Sequence, residues 1–355
     1  MDRGQADTGH HRLTALMTGV VLAALPATAR AEQVCNPSET NTEGVVSLIV
    51  ENDSLSSGKD RNYTSGVELG YVSPENCRIP RMLSDAAKPI THAISNADPA
   101  FWGIALGQSI FTPQDTQADP APPDQHPYAG WLYLQIAVAA EVKPSDAHPT
   151  GYLDTYDLQF GMVGPSALGR QAQNGIHSVL GAPEARGWDS QLHDEFTFGL
   201  SLDRRWDWKE QPLPIAPNLS YDFTPTAGAT IGTLRDEVRV GLIARIGDHL
   251  NGDYGPPRVR PSLASVEQFY NRDLSWNLFA GVEGRAVAHD IFLDGNTFRD
   301  SAHVKRVPFV ADFQAGLSIS SGEWRMTYTY VWRTNEFTTQ DGHQDFGSLS
   351  LSRRF

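Results

Sequence analysis

The sequence predicts an all-β fold: a single 12-stranded antiparallel transmembrane β-barrel with a short helix in an extracellular loop. Three observations point to it. The first is period-two alternation with aromatic residues. From Trp324 to Trp332 the even positions are Trp324, Met326, Tyr328, Tyr330 and Trp332, with Arg325, Thr327, Thr329 and Val331 between them. One face is then apolar with a tryptophan at each end, as lipid and its two interfaces require, while the other suits a polar lumen. The second is an export signal without a spanning helix. Arg3, His10, His11 and Arg12 precede an apolar core from Leu13 to Leu25, and Ala29-Arg30-Ala31 is an A-x-A cleavage site. No later stretch reaches the roughly 18 apolar residues of a spanning helix. Any span must therefore be made of strands closed into a barrel, which pairs every backbone group in lipid. The third is the last strand, Leu349-Ser350-Leu351-Ser352-Arg353-Arg354-Phe355, whose alternation closes on phenylalanine as in the terminal signal of outer-membrane proteins.

Taken in order, residues 1–31 read as a signal peptide and 32–355 as one outer-membrane barrel domain. The apolar run Val45 to Val50 and the alternating run Val67 to Val72 make the first hairpin, within strands at 44–53 and 62–73. Segment 80–95 reads as a short amphipathic helix at the inner rim. Strands at 101–112 and 128–142 flank the proline-rich irregular loop 113–127, and a fifth strand spans 151–164. A helix capped by Ser166 runs to about Leu180, where Gly181 and then Pro183 stop it. Strands follow at 190–205, 216–228, 234–247, 274–293, 306–320, 323–335 and 344–355. In the eighth, Val238, Val240, Leu242, Ala244 and Ile246 alternate with Glu237, Arg239 and Arg245; in the tenth, Phe309, Phe313, Leu317 and Ile319 alternate with Asp312, Gln314 and Ser318. Ser321-Gly322-Glu323 is the tight turn into the eleventh. Twelve is an even count, and with the N-terminus in the periplasm the odd-to-even connections lie outside.

The formal net charge of −14 and the absence of a basic patch with interleaved aromatics argue against nucleic acid as a partner. The two cysteines, Cys35 and Cys77, flank the first hairpin at one rim, so an exported protein can join them, or both can stay as thiols.

Candidate chemistry sits in two clusters. The first hairpin carries Asn52-Asp53-Ser54 and Thr64-Ser65, oxygen donors of the kind calcium takes; asparagine, aspartate and serine also dominate ordinary turns. The helix in the third outer loop places Gln173 and His177 on one face at spacing four, with Glu184 beyond its end. Asn52 and Asp53 are adjacent, so in a regular strand they face opposite sides. Both serve one site only if the strand ends or bulges there, or if one supports the other through the backbone.

Several blocks together resemble one known group. They are Asn52-Asp53; Asp60-Arg61-Asn62-Tyr63-Thr64-Ser65-Gly66; His126-Pro127-Tyr128-Ala129-Gly130-Trp131-Leu132-Tyr133; Gln173-Asn174-Gly175-Ile176-His177; and Gly187-Trp188-Asp189-Ser190-Gln191-Leu192. In this order they look like the outer-membrane lipid A 3′-O-deacylase (LpxR) family. The resemblance implies a twelve-stranded barrel in the bacterial outer membrane and dependence on Ca2+. It also implies removal of an ester-linked acyl chain from lipid A, the lipopolysaccharide anchor of the outer leaflet. Asn52, Asp53, Thr64, Gln173 and His177 match its active-site positions. Two positions depart from its pattern. Where the family can carry a glutamate six residues after the histidine, this chain has Pro183, with Glu184 next; and Gln125-His126 stands where the family often has Asp-Arg.

On this reading His177 activates water, and Gln173 or Glu184 fixes its tautomer. Asp53 and Asn52 hold the metal, and Thr64 ligates it or donates a hydrogen bond. The chain lacks a G-x-S-x-G elbow. The competing expectations are a phospholipase-type esterase using Ser54 or Ser65 as nucleophile, and a non-enzymatic barrel with an open lumen or an inactive member of the family. A monomer is expected.

Overall fold

The computed structural model describes residues 43–56, 61–75, 79–145, 150–248, 250 and 273–355. The leader, its cleavage site, Cys35 and Cys77 lie outside the described residues. Twelve antiparallel strands form one closed sheet: β1 (Val45–Asn52), β2 (Asn62–Val72), β3 (Phe101–Thr112), β4 (Ala129–Val142), β5 (Gly151–Val163), β6 (Glu195–Leu213), β7 (Ala216–Gly232), β8 (Arg235–Gly247), β9 (Ser275–Asp290), β10 (Phe309–Ser321), β11 (Trp324–Arg333) and β12 (Gln344–Arg354). Closure joins β12 to β1, with Val45 opposite Arg354 and Asn52 opposite Gly347. Among the described residues no helix is long and apolar enough to cross a membrane.

The alternation sorts as expected. On β11 Trp324, Met326, Tyr328 and Tyr330 face outward, while Arg325, Thr327, Thr329 and Arg333 are buried inside. Phe309, Phe313, Leu317 and Ile319 on β10, and Val238, Val240 and Leu242 on β8, face outward too. The lumen is polar but filled. Arg333 makes a two-pronged bond to Asp312 at 2.8 and 2.9 Å, Arg239 grips Asp203 at 2.9 and 2.5 Å, and Arg245 grips Asp222 at 2.9 and 2.5 Å. Fork-to-carboxylate pairs suit an interior poor in water, because each charge is both neutralised and hydrogen-bonded.

Toward the extracellular end the interior is capped by an aromatic layer. The rings of Phe111 and Phe292 stack at 4.1 Å, those of Trp131 and Tyr133 at 4.0 Å, and Phe346 meets Tyr63 edge-on at 5.1 Å. Phe292 belongs to α3 (Ile291–Asp294), a single turn capped by Asp290 where the sequence suggested the end of the ninth strand. Buried Ile291 and Phe292 fold that turn inward over the lumen.

Two further helices precede it. α1 (Arg81–Ile94) stands where the amphipathic segment is predicted. α2 (Gly169–Leu180) starts later than Ser166. Pro165–Ala167 forms a 3-10 turn, Leu168 takes a left-handed φ of 59°, and Ser166 bonds Asp194 through both its amide (2.7 Å) and its hydroxyl (2.8 Å) instead of capping. Gly181 ends the helix at φ 71°, where glycine carries no Cβ penalty. β6 begins at Glu195, not 190, because Gly187–Ser190 is a 3-10 turn that buries Trp188. The β6–β7 hairpin is longer than the pattern suggested, and a register shift between Trp208 and Gln211 admits the polar run there.

Candidate active site

The opening strand ends where the site residues begin. Asn52 is still extended (φ −158°, ψ 141°), and Asp53–Leu55 turns away as a 3-10 helix. The Asn52 carboxamide oxygen accepts from the Ser54 amide at 2.7 Å and from the Ser54 hydroxyl, capping that turn. Asn52 ends the outward row of β1, and the chain turns at the buried Asp53. Asp53 is 0% exposed, and its carboxylate accepts from the Arg61 amide at 2.8 Å, which ties the two ends of the loop together.

Thr64 occupies a bulge. Tyr63 pairs with Phe111 and Ser65 with Ile110, so Thr64 is the extra residue on β2. Bulges re-aim a side chain without ending the sheet. Its hydroxyl lies 2.7 Å from that of Thr112, which is paired with Asn62. Ser54 is exposed and Ser65 half-buried.

α2 lies flat against the outside of the wall formed by β3 and β4. Two glycines permit it: a Cβ on Gly130 would sit 3.0 Å from the Gly169 nitrogen, and one on Gly169 would meet the Trp188 ring at 2.8 Å. Beneath the helix, Ala172 packs on a cluster of Ile110, Tyr128, Ala185 and Trp188. Ile110 pairs with Ser65 across β2–β3, and Ser65 pairs with Asn52 across β1–β2. Strand spacing of about 4.8 Å puts Asn52 roughly 10 Å from Ile110 along that row. The opening hairpin and the third outer loop therefore share one outward face at one rim.

On α2, His177 is 8% exposed, and its Nδ1 lies 2.6 Å from the carbonyl oxygen of Pro183. A carbonyl only accepts, so Nδ1 carries a proton. The tautomer is thus fixed by a backbone oxygen, not by Gln173 or Glu184 as the sequence reading expects. Asn174 holds that segment in place, accepting from the Ala185 amide at 3.0 Å and donating to the Ala185 carbonyl at 3.2 Å. Gln173 is 3% exposed; its oxygen accepts from Trp188 Nε1 at 2.9 Å, and its buried amide nitrogen has no protein partner. Glu184 is exposed, and only its backbone carbonyl is engaged, by Gln117 Nε2 at 3.0 Å. Pro183 therefore sits in the site through its backbone, while the Glu184 side chain faces solvent.

His126, where the family often has arginine, is turned inward from the rim. It is buried, stacks on Phe111 at 5.3 Å, and bonds the Pro127 carbonyl at 2.8 Å. Burial lowers its pKa, outweighing Glu336 and Asp290 nearby, so it stays neutral.

Trp188, which the sequence reading names only within a resembling block, and the Pro183 carbonyl are supports to which that reading gives no role. A lone tryptophan between glycine and aspartate in a polar loop is the available signal for the first; a backbone oxygen leaves none.

Among the described residues no three His, Cys, Asp or Glu side chains gather as a metal group. The side-chain donors grouped at the end of β1 are oxygens: the buried Asp53 carboxylate, the Asn52 carboxamide oxygen and the Ser54 hydroxyl. That set fits a hard cation of the calcium type, which takes 6–8 oxygens, with water and substrate completing the shell.

The sequence model of the outer membrane protein LpxR family matches residues 16–355. Among solved structures, LpxR from Salmonella typhimurium superposes with a TM-score of 0.67 at 18% identity, covering 88% of this chain and 100% of that one. The β domain of the Bordetella autotransporter BrkA matches at a TM-score of 0.44 and 10% identity, covering 89% of this chain and 99% of that one. The NanC porin matches at 0.35 and 8%, covering 88% and 100%. No curated protein matches the sequence.

Proposed function

The chain belongs to the LpxR family of outer-membrane proteins, and from that membership we propose that it is a lipid A deacylase, a carboxylic ester hydrolase acting on an ester-linked acyl chain in the outer leaflet. The observation that carries this reading is His177. Its Nδ1–H is held by the Pro183 carbonyl, on a helix laid against the outside of the wall, where a leaflet lipid would lie, and we assign the role of base to Nε2.

His177 Nε2 takes a proton from water as the water oxygen bonds to the ester carbonyl carbon. The resulting imidazolium returns that proton to the alkoxide as the ester C–O bond breaks, releasing a fatty acid and a lipid hydroxyl. Such a base is worth about 10²–10⁴ in rate. The Thr64 hydroxyl donates to the developing oxyanion, and the Gln173 amide, its oxygen held by Trp188, offers its N–H groups to the substrate. Asp53 and Asn52 would hold calcium, which when bound supplies positive charge at the carbonyl oxygen. Glu184, solvent-facing here, is assigned no proton transfer.

The test is purified protein with lipid A, with and without a calcium chelator, read by mass spectrometry. Loss of one ester-linked chain only with calcium supports the proposal. Deacylated phospholipid would instead favour a serine esterase through Ser54 or Ser65, and no product under any condition would overturn the enzyme reading.

A further inference from the structure

We propose that α1 is an interfacial membrane helix, seated among the phospholipid head groups of the periplasmic leaflet against the outside of the barrel. The helix does not close the inner mouth. Ala87 packs on Val138, Ala140 and Tyr156, with Leu83, Trp102 and Leu202 alongside. Those strand residues sit at outward positions, since the next outward residues along the same strands are Ile104, Leu158 and Leu200, exposed as the lipid-facing band. α1 thus lies on the wall one outward step below that band.

Its far side is divided in two. At 100° per residue Met82, Ala86, Pro89, Ile90 and Ala93 fall within an arc of roughly 100°, and Arg81, Asp85, Lys88 and His92 within roughly 60° on the other flank. All nine are exposed, Met82 at 87% and Ile90 at 43%. Ala87 and Thr91, between the flanks, are the buried side. A helix in water would have no reason to expose a continuous apolar flank beside a charged one. At a membrane boundary that split is the expected one, with apolar residues among acyl chains and charged ones in the aqueous layer. The His92–Asp98 pair, 3.1 Å apart, lies on the watery side, largely exposed.

The docking is built, not incidental. Asp154, an outward residue of β5, is 0% exposed beneath the helix end. It receives Arg204 at 2.7 and 2.6 Å and the Ser95 hydroxyl at 2.6 Å. Arg204 also reaches the Ile94 carbonyl at 3.3 Å, and Tyr152 donates to the Ser95 carbonyl at 3.2 Å. An ion pair on the lipid side of a barrel needs such a cover, because an unshielded charge in hydrocarbon is costly. The clamp fixes the rotation of α1, and so fixes which flank meets lipid.

The experiment uses the full chain in vesicles of phosphatidylethanolamine and phosphatidylglycerol. In a Cys35→Ser, Cys77→Ser background, single cysteines at Ala86, Ala93, Asp85 and His92 each carry a nitroxide. Power-saturation spectra are recorded with oxygen and with a water-soluble nickel chelate. Labels at 86 and 93 should show an oxygen-to-nickel accessibility ratio severalfold above labels at 85 and 92. Equal nickel access at all four would place the helix in water and overturn the proposal. Shielding of 86 and 93 from both reagents, with dipolar broadening between labelled copies, would mean a second chain covers the flank and would overturn it equally. Heat-modifiable migration of each variant confirms that the barrel is folded, and catalytic activity is not part of the readout.

Discussion

Replacing Thr64 by valine tests the oxyanion role, provided Thr112→Val is measured beside it. The two hydroxyls are 2.7 Å apart and bonded to each other, with Thr64 2% and Thr112 0% exposed. Either substitution therefore removes the same buried hydrogen bond and strands one hydroxyl, a loss of about 1–2 kcal/mol in local order. If that were the whole effect, both variants would lose comparable activity, at most roughly 30-fold, since each 1.36 kcal/mol is tenfold. If the Thr64 hydroxyl also donates to the oxyanion, Thr64→Val should lose about 10²–10³ in kcat, the range seen when one such donor is removed. The expected result is a Thr64→Val rate well below that of Thr112→Val, with the drop in kcat and not in KM, and recovery in Thr64→Ser. The assay is mass-spectrometric release of fatty acid from lipid A in micelles, with heat-modifiable migration as the folding control. Equal losses in the two valine variants would refute the assignment.

His177→Ala should remove about 10²–10⁴ of the rate while leaving the barrel folded, checked by the same release assay. Asp53→Ala should raise the calcium concentration needed for half-maximal turnover; an unchanged titration would exclude it as a ligand. Trp188→Phe strands the Gln173 oxygen, a loss of about 1–3 kcal/mol in a buried setting, and should lower kcat/KM without abolishing turnover, read from the release assay at several substrate concentrations. The pH dependence of stability follows from His126, whose folded pKa is lowered by burial. The unfolded chain then binds the extra proton first, so the contribution is fully present above a pH of about 6.5 and is lost as pH falls from there toward the folded pKa. The melting temperature in detergent should drop between about pH 7.5 and about pH 5.5, and His126→Gln should flatten that drop. Glu336 titrates in a separate window: burial opposes ionisation, but Arg333, Arg285 and Arg235 prevail and lower its pKa, so its stabilisation is lost only at more acidic pH.

The barrel was largely legible because its constraint is local: a strand between lipid and lumen must alternate, and Trp324–Arg333 shows that in ten residues. The misplaced boundaries have distant causes. Ser166 looks like a helix cap until Asp194, 28 residues on, takes its amide and hydroxyl. The 3-10 turn at Gly187–Ser190 forms because Trp188 is needed beneath α2, a contact no window around residue 190 reveals. In the candidate site, the residues to which we assign chemistry are readable as polar side chains in unusual company. Their supports are not. Pro183 acts through a carbonyl every residue has, and Thr112 looks like any threonine on a strand. The aromatic cap was hidden by its own composition, since Phe111 or Trp131 in an alternating strand reads equally well as facing lipid.

The ring stack of Phe111, Phe292, Trp131 and Tyr133 has a physiological corollary. An outer membrane survives by excluding detergents and drugs, and every added barrel is a risk of leakage. Here aromatic side chains cap the interior while the proposed workplace is on the exterior. Lipid would arrive and depart sideways, in the plane of the leaflet.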